Sequence, residues 1–149
     1  MITLLEALQE ANSATPGIKG LSFANIQEFA SFQDSFNFQD YPRNVVVPIV
    51  LDGVLKNNRA NEFINVQGWM ITRINQDTND YRSVKIEPDF IAPMRAAARK
   101  FIIALANSDL TNPEIEDISY RIGSEYQWLH SHLFGVHYTM RWPVRMGIC

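Results

Sequence analysis

Residues 87–109 read EPDFIAPMRAAARKFIIALANSD. Phe90, Ile91, Met94, Ala97, Ala98, Phe101, Ile102 and Leu105 recur at intervals of three and four, the spacing of a helix with one broad apolar face. Arg95, Arg99 and Lys100 fall off that stripe. Pro93 is comfortable only in a first turn, so the N-cap belongs among residues 90–92, or the first turn after Asp89 is irregular. Residues 107–112 followed by Pro113 end the helix. No other stretch of several turns has so regular a helical period. The chain around it reads as strands, so this helix is what a sheet is expected to pack against.

On its C-terminal side, Glu114, Glu116 and Asp117 precede a short strand at residues 118–122, which Gly123 and Ser124 break. Tyr126, Trp128, His130 and His132 alternate with other residues as an irregular strand, and Phe134-Gly135 reads as a turn or bulge. The last strand is the cleanest. Val136, Tyr138, Met140, Trp142, Val144 and Met146 alternate with His137, Thr139, Arg141, Pro143 and Arg145, one face buried and one wet, as antiparallel strands do.

On the N-terminal side, residues 44–55 (NVVVPIVLDGVL) form a strand interrupted by Pro48, which marks an edge or a bulge. Residues 56–61 read as a polar turn. In residues 62–74, Ile64, Val66, Met70 and Ile74 share one side; Phe63, Trp69 and Ile71 occupy the other, which is therefore not simply solvated. Gly68 marks a bulge or a close approach. The two strands make a long hairpin, and residues 75–87 form a long polar surface segment. At the start, Thr3 and Glu6 fit a capping box, with Leu4, Leu5, Leu8 and Ala11 as its apolar stripe and Pro16-Gly17 as its stop. Between them, residues 18–40 carry Phe23, Ile26, Phe29, Phe32, Phe36 and Phe38, read as core aromatics around a short helix at 25–32. The expected fold is α+β: an antiparallel or mixed sheet with a long hairpin, packed against one main amphipathic helix plus a short N-terminal helix.

One domain over residues 1–149 is the expectation at about 100–200 residues per domain. Hydrophobic content of 46% and charged content of 19% suit a globular protein. A net charge of -3 argues against a nucleic-acid binder with a basic stripe. Glu6, Glu10, Glu28, Asp34 and Asp40 face only Lys19 in the first forty residues, whereas the part after Glu125 holds Arg141 and Arg145 and no acidic side chain. That asymmetry suits either head-to-tail contact between copies or a solvated face. The single cysteine, Cys149, makes no intrachain disulfide and fits a reducing compartment. The opening MITLLEALQEA lacks a basic leader region, and the longest apolar run, 45–51, is too short to span a bilayer.

Motifs for chemistry are sparse. His130, His132 and Glu125 are the only plausible metal ligands, with no third ligand fixed by spacing; no metal or other cofactor is assigned. There is no G-x-S-x-G, H-E-x-x-H, Walker loop or G-x-G-x-x-G, and no catalytic residue is assigned. Edges say more. Pro48 and Pro143 sit in candidate strands whose edges either guard themselves or receive another copy. Ala92, Ala96 and Ile103, lying between Arg95 and Arg99 on the outer helix face, mark a weaker second surface.

Taken in order, a short N-terminal helix leads through an aromatic stretch to Asp40-Tyr41-Pro42 and a Val-rich strand. A hairpin, one amphipathic helix and a final Phe134-Gly135-Val136-His137-Tyr138 strand follow. This order resembles the tail-terminator, tail-completion and neck ring proteins of tailed bacteriophages; residues 75–87 and the H-x-H pair depart from the pattern. The resemblance implies a non-enzymatic virion subunit, assembled in the host cytoplasm, that forms a homomeric ring of six or twelve copies at the neck. Such a ring caps the tail or joins it to the connector, with DNA passing through the lumen and neighbouring neck and tail proteins as partners. Lys56, Arg59, Arg95, Arg99, Arg141 and Arg145 are the candidate intersubunit or lumen contacts. A small ligand- or metal-binding domain, or a non-viral adaptor for one protein partner, is the alternative.

Overall fold

The computed structural model describes residues 2–25, 29, 36–73, 91–115, 117–123 and 133–145. Its elements run α1 (Leu4–Ser13), β1 (Gly20–Phe23), a 3-10 turn (Phe38–Asp40), β2 (Arg43–Val46), β3 (Val50–Lys56), β4 (Arg59–Arg73), α2 (Ala92–Ala106), β5 (Ser119–Ile122) and β6 (Leu133–Val144). All six strands belong to one sheet of order β1-β2-β4-β6-β5, with β3 also on β4. β1 and β2 are parallel and every other pair is antiparallel, so the fold is α+β with a mixed sheet.

The helices form where the periodicity put them. Thr3 Oγ1 accepts the Glu6 amide at 3.1 Å, satisfying one of the open donors of α1. α1 buries Ala7, Leu8, Ala11 and Asn12, while Leu5 points outward. Pro93 sits in the first turn of α2, whose N-cap Ile91 makes no side-chain cap bond. Ile91 and the whole stripe from Met94 to Leu105 are buried; Phe90 lies outside the described residues. Both helices cover one sheet face, where Ile64, Val66 and Met70 of β4 meet Phe134, Val136, Tyr138, Met140, Trp142 and Val144 of β6. The opposite face has a smaller cluster of Ala24, Phe29, Tyr41, Val45 and Ile71, with Phe36 and Trp69 packed on it. That cluster is why Trp69 and Ile71 could share the polar side of β4. At Gly68 a Cβ would lie 2.5 Å from the Val45 carbonyl oxygen and 2.6 Å from the Tyr138 hydroxyl, so this glycine is a close approach.

Several expectations are corrected. The Val-rich run is two strands, not one. Val47 still donates to the Gln67 carbonyl at 2.9 Å, but Pro48 has no amide to donate, and β2 and β3 then take successive stretches of the same edge of β4. Phe134 and Gly135 are not a turn; they pair with Thr72 and Ile71 inside β6. β6 is not an edge strand, because β4 and β5 flank it. Pro143 is tolerated there because its carbonyl accepts the Asn112 amide at 3.0 Å. Its ring nitrogen therefore also faces away from β4, at a point where β5 has ended. β1 was not anticipated: it has only four residues and no clear alternation in burial. The helix expected at 25–32 lies mostly outside the described residues, although Phe29 is helical and its amide donates to the Asn25 carbonyl at 3.0 Å.

Candidate functional site: an apolar arm and two sheet edges

β3 and the start of β4 meet at a two-residue turn. Asn57 and Asn58 have φ of 52° and 62°, the left-handed pair of a type I′ turn, and Lys56 faces Arg59 across it. The turn is therefore much shorter than the polar segment expected at 56–61. β6 accompanies β4 only as far as Glu62, which faces Val144, so the tip of the hairpin, residues 54–61, projects past β6 and with the rest of β3 forms an exposed arm.

Every residue of β3 is exposed. Val50 is 55% accessible, Leu51 47%, Val54 50% and Leu55 75%, so the arm offers apolar side chains to solvent on both faces. Val50, Asp52, Val54 and Lys56 share one face; Leu51 and Leu55 lie on the other, on either side of Gly53. Asp52 accepts a hydrogen bond from the Asn65 amide group. Among the described residues no strand pairs with the outer edge of β3, nor with that of β5 at the far side of the sheet. An apolar, unpaired edge strand is a template for another chain. A run of Val, Ile and Leu ordinarily signals burial on both faces, and its exposure here is the clue that composition alone concealed.

No protein-family model matches the chain, and no curated protein matches it.

The six cations singled out from the sequence do not converge. Lys56 is exposed at the arm tip, and Arg59 opens β4 opposite it. Arg99 is exposed and Arg95 half-buried on α2, on the helix-covered side of the sheet. Arg141 lies on the opposite side, its guanidinium 3.9 Å from the centre of the Phe63 ring. Arg145 follows β6 and is held by the Leu110 and Thr111 carbonyls, through its amide at 2.9 Å and its Nε at 3.4 Å. Beside Arg141, Asn65, Gln67, Ser119, Arg121 and Thr139 line a shallow depression of about 430 Å³. Arg121 was not among the sequence candidates; a single arginine in a four-residue strand carries no pattern.

His130, His132 and Glu125 lie outside the described residues, and so does the segment at 75–87. His137 is not fully wet: it is half-buried, its ring 4.6 Å from that of Trp69. Among the described residues no group of three His, Cys, Asp or Glu side chains is placed to hold a metal ion. No described helix is long and apolar enough to cross a membrane.

Proposed function

We propose that this chain is a structural subunit that assembles with copies of itself into a ring at the head-proximal end of a bacteriophage tail, capping the tail or joining it to the connector. The observation that carries self-assembly is the arm: four large apolar side chains, exposed on both faces of a strand whose outer edge no described strand pairs with. A ring needs two unlike surfaces on each copy, and β3 and β5 supply two unlike edges at different places on one sheet. The tail assignment comes from the order of elements in the sequence. Ring size is six or twelve, and adjacent neck and tail proteins are the further partners.

Light scattering and negative-stain imaging of the purified protein test the ring, with closed circles of one size expected. Portal, tail-tube and capsid genes beside its own gene are expected if the tail assignment holds. A chain solitary at every concentration and in its native particle would end the proposal.

A further inference from the structure

We infer that copies of this chain join by strand addition, the outer edge of β3 in one copy pairing antiparallel with the outer edge of β5 in the next, with Asp52 opposite Arg121 and Lys56 opposite Asp117. The inference deepens the ring reading: it rests on self-association and not on where the ring sits.

Backbone direction comes first. A two-residue turn closes on a pair that exchanges hydrogen bonds, so Lys56 and, two by two, Val54, Asp52 and Val50 aim their backbone groups at β4. Leu51, Gly53 and Leu55 aim theirs outward. On the other edge the Gly123 amide donates to the His137 carbonyl at 2.8 Å, so Gly123, Arg121 and Ser119 aim at β6. Tyr120, Ile122 and, by the same alternation, Ile118 just before the strand aim outward. An antiparallel ladder requires outward groups to oppose outward groups, which leaves only registers two residues apart.

Charge then selects among them. With Leu51 opposite Ile122, Gly53 opposite Tyr120 and Leu55 opposite Ile118, both opposite-charge pairs form at once, and Val54 faces Ser119. Sliding two residues one way puts Asp52 opposite Ser119 and Lys56 opposite Ile115. Sliding the other way puts Asp52 opposite Gly123 and Lys56 opposite Ser119. Neither alternative pairs a single acid with a base. The chosen register also covers Leu51 and Leu55 with isoleucines and sets an exposed tyrosine over Gly53.

The sheet faces agree as well. Cross-strand neighbours share a face, so the ladders put Asp52 on the same side as Phe63 and Pro143, and Arg121 with Thr139, all on the side away from α2. In the inferred register the two faces continue from copy to copy. Strand direction fixes the symmetry. β3 and β5 of one chain are antiparallel to each other, because three antiparallel steps separate them. Antiparallel pairing between chains therefore keeps successive copies pointing the same way, which is a head-to-tail contact and not a two-fold one.

The test uses the full chain with Cys149→Ser. Val54→Cys together with Ser119→Cys places thiols on a directly opposed pair that does not exchange hydrogen bonds, the closer kind. Both positions are exposed, so the monomer should fold. Oxidation is expected to give a ladder of covalent multimers, and Val54→Cys with Gly123→Cys, four residues out of register, is not. Separately, Asp52→Arg and Arg121→Asp should each weaken association about tenfold, and the combined swap should restore it. Rings that form without a 54–119 bond and without rescue overturn the β3–β5 pairing and leave the ring standing. A covalent ladder that images as open fibres supports the pairing and removes the closed ring. Neither ladder nor assembly overturns both.

Discussion

The Tyr138 hydroxyl donates to Asn44 Oδ1 at 2.5 Å, and Asn44 Nδ2 donates to Asn12 Oδ1 at 3.2 Å, so one buried chain of polar groups ties β6 and β2 to α1. All three residues are buried, and an orphaned donor or acceptor there loses its partner without gaining water. Asn44→Ala orphans groups on both neighbours and should lower unfolding free energy by about 2–4 kcal/mol; Tyr138→Phe should cost about 1 kcal/mol, since the ring keeps its packing. Urea titrations of the three proteins check the order. Burial also pushes the Tyr138 hydroxyl well above its ordinary range, with the hydrogen bond to Asn44 opposing that shift more weakly. The sign follows: the unfolded chain releases this proton first, so the contribution of Tyr138 to stability is intact below about pH 10 and is lost as pH rises beyond it. The native protein should therefore lose stability more steeply above pH 10 than Tyr138→Phe, read from unfolding midpoints at pH 8 and pH 10.5. Equal slopes would show that Tyr138 is not the group responsible.

Elements that bury a face against the rest of the chain can be read from the sequence; elements whose partners lie far along the chain, or that bury no face, cannot. The stripe of α2 and the alternation of β6 are imprints of one buried side, and both survive as expected. β1 pairs in parallel with a strand some twenty residues later and leaves no such imprint. Glycine and proline point the wrong way in two places: Phe134-Gly135 reads as a turn or bulge although both residues lie within the β4–β6 ladder, and Pro143 reads as an edge marker although β4 and β5 flank its strand, β5 stopping short of it. β3 is harder still, because its apolar residues are exposed and pack on nothing among the described residues. The charged candidates share a residue type and no spacing, and the structure spreads them over the arm tip, α2 and the open face. Asp52 and Arg121 pair with each other only in the inferred contact between copies. The contrast between β3 and α2 can be measured. Leu55→Lys should change monomer stability by less than about 0.5 kcal/mol while abolishing self-association. Leu105→Ala, at a fully buried position of α2, should cost about 2–5 kcal/mol and empty the same cluster that holds Phe101 and Trp142. Chemical denaturation of dilute protein separates the two, and light scattering at high concentration reads assembly.

In the inferred assembly the outer edges of β3 and β5 either meet each other or meet themselves. A two-fold contact would pair β3 with β3 or β5 with β5, use up that one edge of each copy and stop at a dimer. A β3–β5 contact leaves one of each edge open after every addition, so growth continues until the circle closes. Proline distinguishes these. Gly53 and Tyr120 both aim their amides outward, so Gly53→Pro and Tyr120→Pro each remove a donor from an outer edge without touching the ladder inside the chain. Each variant alone should then remain monomeric, the first lacking a usable β3 and the second a usable β5. Mixed in equal amounts they should form a one-to-one dimer, the intact β3 of the Tyr120→Pro chain adding to the intact β5 of the Gly53→Pro chain. Of the β3 and β5 edges the dimer leaves open only the two spoiled ones, so it cannot grow through this contact. Native mass spectrometry of the mixture would read twice the chain mass and nothing larger. A dimer from either variant by itself would mean that like edges pair, and the head-to-tail geometry would be wrong.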